Sequence, residues 1–349
     1  MNHITNSLDI PLVLAVWLVH DEYDYLSIPN YISATSLMKP LRHIILPKRI
    51  PIEERPIEDV ADYVSRGLGH TLHDGIEKAW KTGYQTNLRK LGYPDAVIDR
   101  VLINPTDRQI DLFIRDFGED PIPVYLEQRM FRNHKGRIIG GKYDNITDGI
   151  VNDTKSTTAY SWVFGGKDGD YQLQGSIYRW LDAEGYEDPE NPLGSKFRPR
   201  ITEDYMRVNF IFTDWQKMQA RSNPGYPQKR VESKEINLLS VEETELWIND
   251  KLRLIEKFKD TPEKELPECT PEELWQSEPS YKFYLDPTKA NKPGARSTKN
   301  FDDLTDARKF QAEKGGKGVI VTIPGEPKRC AFCPAFQACT QKDRYFPND

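Results

Sequence analysis

The residues best equipped for chemistry are Asp144, Asp153 and Lys155, in the stretches Gly141-Lys142-Tyr143-Asp144 and Asp153-Thr154-Lys155. On a β-strand successive side chains alternate faces, so Asp153 and Lys155 point to the same side. The eight residues between Asp144 and Asp153 suit a tight hairpin that brings the two carboxylates opposite one another. Asp144, three residues after Gly141, is expected on the strand, whereas Asp148 falls in the turn; Asp144 is therefore the partner carboxylate. Two carboxylates at close range repel unless a cation sits between them. Hard oxygen ligands select Mg²⁺ or Mn²⁺. Such an ion acidifies a bound water and stabilises charge on a phosphoryl group, and a neighbouring lysine can orient that water. Taken alone, Asp-x-Lys is a very weak signal that more often describes an exposed hairpin with solvated charges.

A second constellation lies near the C-terminus. Cys330-Ala-Phe-Cys333-Pro-Ala-Phe-Gln-Ala-Cys339 is Cys-x2-Cys-x5-Cys, and Cys269 supplies a fourth ligand, which accounts for all four cysteines. Four thiolates suit Zn²⁺ or an iron–sulfur cluster, although zinc more often takes two Cys-x2-Cys pairs. With no secretory signal in view, metal ligation is a better reading than a disulfide framework.

Two basic stretches could track phosphates. Residues 287–300 carry Lys289, Lys292, Arg296 and Lys299 with no acidic residue. The other holds Lys196, Arg198 and Arg200 with Phe197 interleaved, an aromatic that could stack on a base. A solvated loop is the competing reading for each.

These groups need elements to position them. Apolar residues recur at helical spacing from Ile57 to Thr82, predicting a helix or helix pair that carries His70, His73 and Glu77, with Gly67 and Gly69 as points of interruption. Residues 122–155 predict three strands separated by turns at Asn133–Gly136 and Thr147–Gly149. A helix from about Tyr171 to Glu184 follows, carrying Gln174 and Tyr178 four residues apart on one face, then a strand at roughly 206–215. Ser240/Glu243 and Thr270/Glu273 have capping-box spacing and predict two further helix starts. The expected organisation is an α/β core of mixed sheet flanked by helices at 57–260, an opening segment at 1–56 and a Pro-rich, cysteine-ligated cap at 261–349.

The 349 residues are 38% hydrophobic and 29% charged, enough to bury a sizeable core in a soluble chain. Leu12–Val19 is too short to span a bilayer and is followed at once by charge, so it is expected to be a buried core segment of a cytoplasmic protein with no membrane partner. A formal net charge of −6 disfavours a passive DNA-coating protein, but not an enzyme with one local basic groove. No Gly-x4-Gly-Lys-Ser/Thr phosphate loop occurs, so no helicase motor is expected.

Four motifs in order carry a family resemblance: Gly69-His70-Thr71-Leu72-His73 with Glu77 one turn on; Gly141-x-x-Asp144; Asp153-Thr154-Lys155; and Gln174-Gly175-Ser176-Ile177-Tyr178. Together they resemble the RecB-type branch of the PD-(D/E)xK nuclease superfamily, in particular its iron–sulfur members such as the AddB nuclease domain and stand-alone phage exonucleases. The resemblance covers roughly residues 57–180 and the cysteine tail. It implies a metal-dependent DNA exonuclease of recombination, repair or phage DNA processing, on single- or double-stranded DNA, alongside a recombination or helicase partner protein. It assigns His73, Asp144, Asp153 and the Thr154 carbonyl to Mg²⁺ or Mn²⁺, and Lys155 to the attacking water. Gln174 and Tyr178 would border the DNA strand, Glu127 is a weaker member of the acidic cluster, and Cys269, Cys330, Cys333 and Cys339 would hold a [4Fe–4S] cluster, with structural zinc as the alternative. Tyr143 stands where some members have proline, and Cys269 lies after the core, where several members place it before. The competing readings are a sequence-specific endonuclease on the same core, and a non-catalytic iron–sulfur or zinc module that binds DNA or a partner.

Overall fold

In the computed structural model, residues 4–21, 26, 28–164, 166–183, 198–290, 292 and 294–346 are described. They form two units. One joins the residues up to Met38 to Ile57–Leu252; the other joins Lys39–Pro56 to the residues from Arg253 onward. The expected opening segment 1–56 is thus divided between them. The expected break near 260 falls eight residues earlier, within the helix Val241–Phe258.

The strands are β1 (Tyr31–Ser33), β2 (Val101–Ile103), β3 (Ile122–Leu126), β4 (Arg129–His134), β5 (Arg137–Lys142), β6 (Asn145–Thr147), β7 (Ile150–Thr157), β8 (Tyr205–Phe212), β9 (Val231–Asn237), β10 (Ser280–Tyr284), β11 (Lys299–Phe301) and β12 (Val319–Ile323). In the first unit β2-β3-β6-β7-β8-β9 form a six-stranded mixed sheet, parallel at β2/β3 and β7/β8 and antiparallel elsewhere. A smaller sheet, β1-β5-β4, stands beside it. The fold is mixed α/β, with sheets flanked by helices.

Two of the expected strands break where chemistry is at stake. The run 122–131 divides at Glu127, whose φ of 51° turns the chain out of β3 and into β4. The return run divides at Tyr143 and Asp144, between β5 and β6. The breaks face each other: the Glu127 N–H donates to the Asp144 carbonyl at 2.9 Å. One ribbon therefore serves both sheets, and its corner carries both carboxylates. Asp144 sits at that bend rather than within a strand.

The helix Val64–Lys90 runs unbroken through Gly67 and Gly69. A Cβ at Gly67 would meet Leu18 at 3.1 Å, whereas one at Gly69 would meet nothing described within 4 Å. Trp80, Tyr84 and Leu88 pack on Val101, Val124 and Leu126. His73 lies seven residues before Trp80, on the same stripe, so the packing of the helix aims it at the sheet. The helix Asp168–Asp182 buries Ile177, Trp180 and Leu181 and touches β4, β5, β8 and β9. The short strand β2 and the helix Asp107–Phe117 had no counterpart in the expected order.

Leu12–Val19 is helical but is not a core segment. Only Ala15 and Leu18 are buried, and Leu12 and Val13 are each 78% exposed. Apolar residues all around such a short helix leave one side without described neighbours. Among the described residues no helix is long and apolar enough to cross a membrane.

Ser240 and Glu243 form the expected reciprocal cap (3.0 and 2.8 Å) and start the helix Val241–Phe258. Thr270 and Glu273 make the same two bonds, at 3.0 and 3.2 Å. There only a turn follows, because Trp275 enters the left-handed region at φ 50°. The second unit also holds the antiparallel sheet β11-β10-β12, with the helix Leu304–Glu313 packed on it through Phe310.

Candidate active site

Three elements meet at the ribbon corner. His73 comes from the long helix, Glu127 from the β3/β4 break and Asp144 from the β5/β6 bend. One ligand atom from each lies within 4.8 Å of the others. His73 Nδ1 is 3.3 Å from Asp144 Oδ2 and 3.6 Å from Glu127 Oε1. The hairpin does what its length suggested. Asn145 pairs with Asn152, which sets Asp144 beside the start of Asp153-Thr154-Lys155, and the Thr154 N–H donates to Asp144 Oδ2 at 3.0 Å.

Asp153 and Lys155 share a face of β7, as alternation requires, and Lys155 Nζ lies 2.9 Å from Asp153 Oδ1. Asp153 is 2% exposed, and its Oδ2 is buried with no hydrogen-bond partner among the described residues. An orphaned carboxylate oxygen is costly unless something fills its coordination. Lys142, which sequence reasoning missed, pairs with Glu127 at 2.9 Å. Its position opposite Arg129 in the β4/β5 register places it two residues from Glu127, a proximity that follows only once the register is known.

The electrostatics bear the mark of crowded negative charge. Burial, and then Asp153, push the Asp144 carboxyl up to about 6, against the opposing pull of His73. The adjacent Glu127 carboxylate, and the charge of Asp144, raise the His73 imidazole above its ordinary value despite its burial. For Glu127, burial acts upward but is outweighed by His73 and Lys142, so it titrates below the usual carboxylate range. For Lys155, burial acts downward but is outweighed by Asp153 and Asp144, leaving it a firm cation.

One imidazole nitrogen, two carboxylates at the corner and an unpartnered carboxylate oxygen next to them fit a hard divalent cation. The compact donor set is His73, Glu127 and Asp144. Glu127 therefore stands in the cluster as closely as Asp144 does, and Asp153 adjoins it. Thr154 meets Asp144 through its N–H. His70 is exposed, and Glu77 pairs with Lys81 on the helix surface.

Gln174 and Tyr178 act behind the corner. Tyr178 is 4% exposed; its hydroxyl donates to the Lys142 carbonyl at 2.9 Å and accepts from Gln174 at 3.0 Å. A Cβ on Gly141 would sit 2.6 Å from the Tyr178 ring. Gly141 is thus the space into which the ring packs, and the ring holds the strand end leading to Asp144. So buried, the tyrosine packs the corner from behind, while Gln174 is half-buried. Tyr171, three residues before Gln174 and on the same helix face, lies in the electrostatic reach of Lys155 and packs against Phe210 at 6.0 Å. The 171/174/178 spacing is the signal that could have found it.

The four cysteines line one cavity in the second unit and form no disulfide. Arg42 and His43, from the 39–56 segment, line it too. Arg42 is 3% exposed and donates to Cys339 Sγ at 3.4 Å, to the Pro267 and Leu266 carbonyls at 3.0 Å each, and to Glu263. Burial pushes the Cys269 thiol up to about 12 and the Cys333 thiol up to about 11. His43 is pushed down to about 4 by burial and by Arg329.

The basic stretches fare differently. Arg198, its side chain 59% exposed, pairs with Asp111 at 2.7 Å, and Arg200 donates to Tyr143 at 3.0 Å and stacks on Tyr125 at 4.4 Å. Lys196 and Phe197 lie outside the described residues. Lys299 lies over the Phe301 and Phe310 rings. Lys292 and Arg296 line an open cleft, and Lys289 is exposed outside its lining.

No protein-family model matches the chain. No curated protein matches it either. Among solved structures it is similar to SSO0001, at 16% identity and a TM-score of 0.37, over 72% of this chain and 87% of that one. A likeness that low carries no argument about fold family or function.

Proposed function

We propose that this protein is a Mg²⁺- or Mn²⁺-dependent DNA exonuclease with the RecB-type PD-(D/E)xK arrangement at its core and a [4Fe–4S] cluster in its cysteine-bearing unit. The observation that carries the reading is the convergence of His73, Glu127 and Asp144 at one corner, with Asp153 and Lys155 on the adjoining strand. His73, Glu127 and Asp144 would hold the cation, with Asp153 Oδ2 and the Thr154 carbonyl next to it. A bound divalent ion supplies Lewis-acid polarisation of the phosphodiester and makes water a stronger nucleophile. Lys155, held by Asp153, places a fixed positive charge where negative charge develops on the phosphoryl oxygens. Lys142 balances Glu127, and Tyr178 fixes the chain that presents Asp144.

An idle scaffold has no evident use for two carboxylates beside a third whose buried oxygen has no partner among the described residues, which favours catalysis over a passive binding module. For the cysteine centre, the Cys-x2-Cys-x5-Cys spacing, which is not that of two paired Cys-x2-Cys zinc knuckles, favours a cluster over structural zinc.

The test is digestion of end-labelled linear DNA and of closed circular DNA with Mg²⁺ or Mn²⁺. An exonuclease degrades the linear form and leaves the circle intact. Cleavage of the circle reassigns the activity to an endonuclease on the same core, and no cleavage of either removes the nuclease reading.

A further inference from the structure

The cleft beside β10 has no role in the cleavage chemistry. Its volume is about 660 Å³, and its lining includes Lys282, Tyr284, Lys292, Arg296, Ser297 and Asn300. Strand alternation explains the grouping. Lys282 and Tyr284 lie on one face of β10, and Asn300 pairs with Lys282 from β11. The opposite face carries Phe283, which packs on Phe310 beneath the helix. That arrangement also separates Lys299 from the cleft, because it pairs with Phe283 and lies over the Phe310 ring.

Three cations therefore converge in one concavity with no carboxylate among the described lining residues. Asp286 feels Lys292 and Lys289 through space, but its carboxylate is turned to Thr288, at 3.0 Å from the N–H and 2.8 Å from the hydroxyl. Gly294, Ala295 and Ser297 give the rim small side chains, which lets a backbone come close. Like charges gathered with no carboxylate in the described lining, on a neutral amide and phenol floor, form a receptor for a repeating anion.

We infer that this cleft binds the phosphodiester backbone of single-stranded DNA, with Lys282, Lys292 and Arg296 as the phosphate contacts. A concave site of this size admits one flexible strand, whereas a duplex presents a broad convex surface. The choice of DNA as the polyanion rests on the nuclease reading; the cation cleft itself does not.

The test is fluorescence anisotropy of a labelled oligothymidylate against salt, using the full chain with Asp153→Asn so that bound strand is not cut. Each phosphate neutralised on a single strand contributes roughly 0.7 to the slope of log affinity against log salt, so removing three cations should flatten it by about 2. Lys282→Ala/Lys292→Ala/Arg296→Ala is expected to show that loss. Lys289→Ala/Lys299→Ala, also basic but outside the cleft, is expected to keep the parent slope. An unchanged slope in the triple variant, an equal loss in the control pair, or no binding by the parent overturns the inference. An equal loss measured on a duplex overturns the single-strand assignment. Binding with the predicted slope but no metal-dependent cleavage by the unmutated chain leaves the cleft standing and removes the nuclease reading. Cleavage with an unaltered slope does the reverse.

Discussion

Divalent metal at the corner should compete directly with protons, and the size of the competition follows from the site. Asp144 titrates at about 6 in the folded, metal-free state because burial and Asp153 oppose its charge. A carboxyl of that pKa is ionised in about one molecule in eleven at pH 5 and about ten in eleven at pH 7, a roughly tenfold gain in the competent form. His73 is raised above its ordinary value by Glu127 and Asp144, so its neutral form also grows as pH rises. Together they predict that Mn²⁺ affinity rises at least about tenfold from pH 5 to pH 7. The stability signs agree. A carboxyl raised from 3.8 to about 6 favours the fold while protonated, so that contribution is lost as pH climbs from about 4 to 6, at a cost of about 3 kcal/mol once Asp144 is ionised. A raised imidazole contributes stability below its unfolded pKa that is lost as pH rises through the folded one. Added Mn²⁺ should therefore raise the melting temperature strongly at pH 7.5 and barely at pH 4.5. Calorimetric titration and thermal melts at each pH measure both. Metal affinity that is flat from pH 5 to 7, or a metal-induced stabilisation equal at both pH values, would refute the assignment of the ligands.

Two other predictions concern residues that act through their neighbours. Gly141→Ala pushes a methyl into the Tyr178 ring, 2.6 Å away at its nearest carbon, so it should cost about 2 kcal/mol and lower the melting temperature by roughly 4–8 °C; a melt within a degree of the parent contradicts the packing account. Arg42→Gln removes a buried guanidinium shared by Glu263 and Cys339, and should destabilise its unit by roughly 3 kcal/mol. The same change should lower bound iron and visible absorption in the anaerobically purified protein, and an unchanged iron content and spectrum would show that Arg42 does not support the cysteine centre.

Parts of this site were legible because they depend on local periodicity. Asp153 and Lys155 share a face by strand alternation, and the Thr147–Gly149 turn fixes the hairpin that returns Asp144 to them. Other parts were not, because they depend on contacts remote in sequence. Glu127 gains its place from a left-handed backbone at the point where one ribbon leaves the large sheet for the small one, and nothing in its neighbours announces that break. Arg42 reaches a cysteine 297 positions away. Leu12–Val19 misled by composition: an apolar run reads as core, yet a helix that short can turn only Ala15 and Leu18 inward. In Arg198 and Arg200 the basic residue types were visible, but not the Asp111 and Tyr143 partners that occupy them.

The Asp144–Asp153–Lys155 hairpin, with His73 and Glu127, is proposed to hydrolyse DNA. The most direct test is digestion of end-labelled linear DNA by the parent and by Asp153→Ala under the same Mn²⁺ concentration, with matched folding verified by circular dichroism. The account predicts that the variant stays folded and loses at least roughly a hundredfold in rate. Equal rates for the two proteins would contradict it.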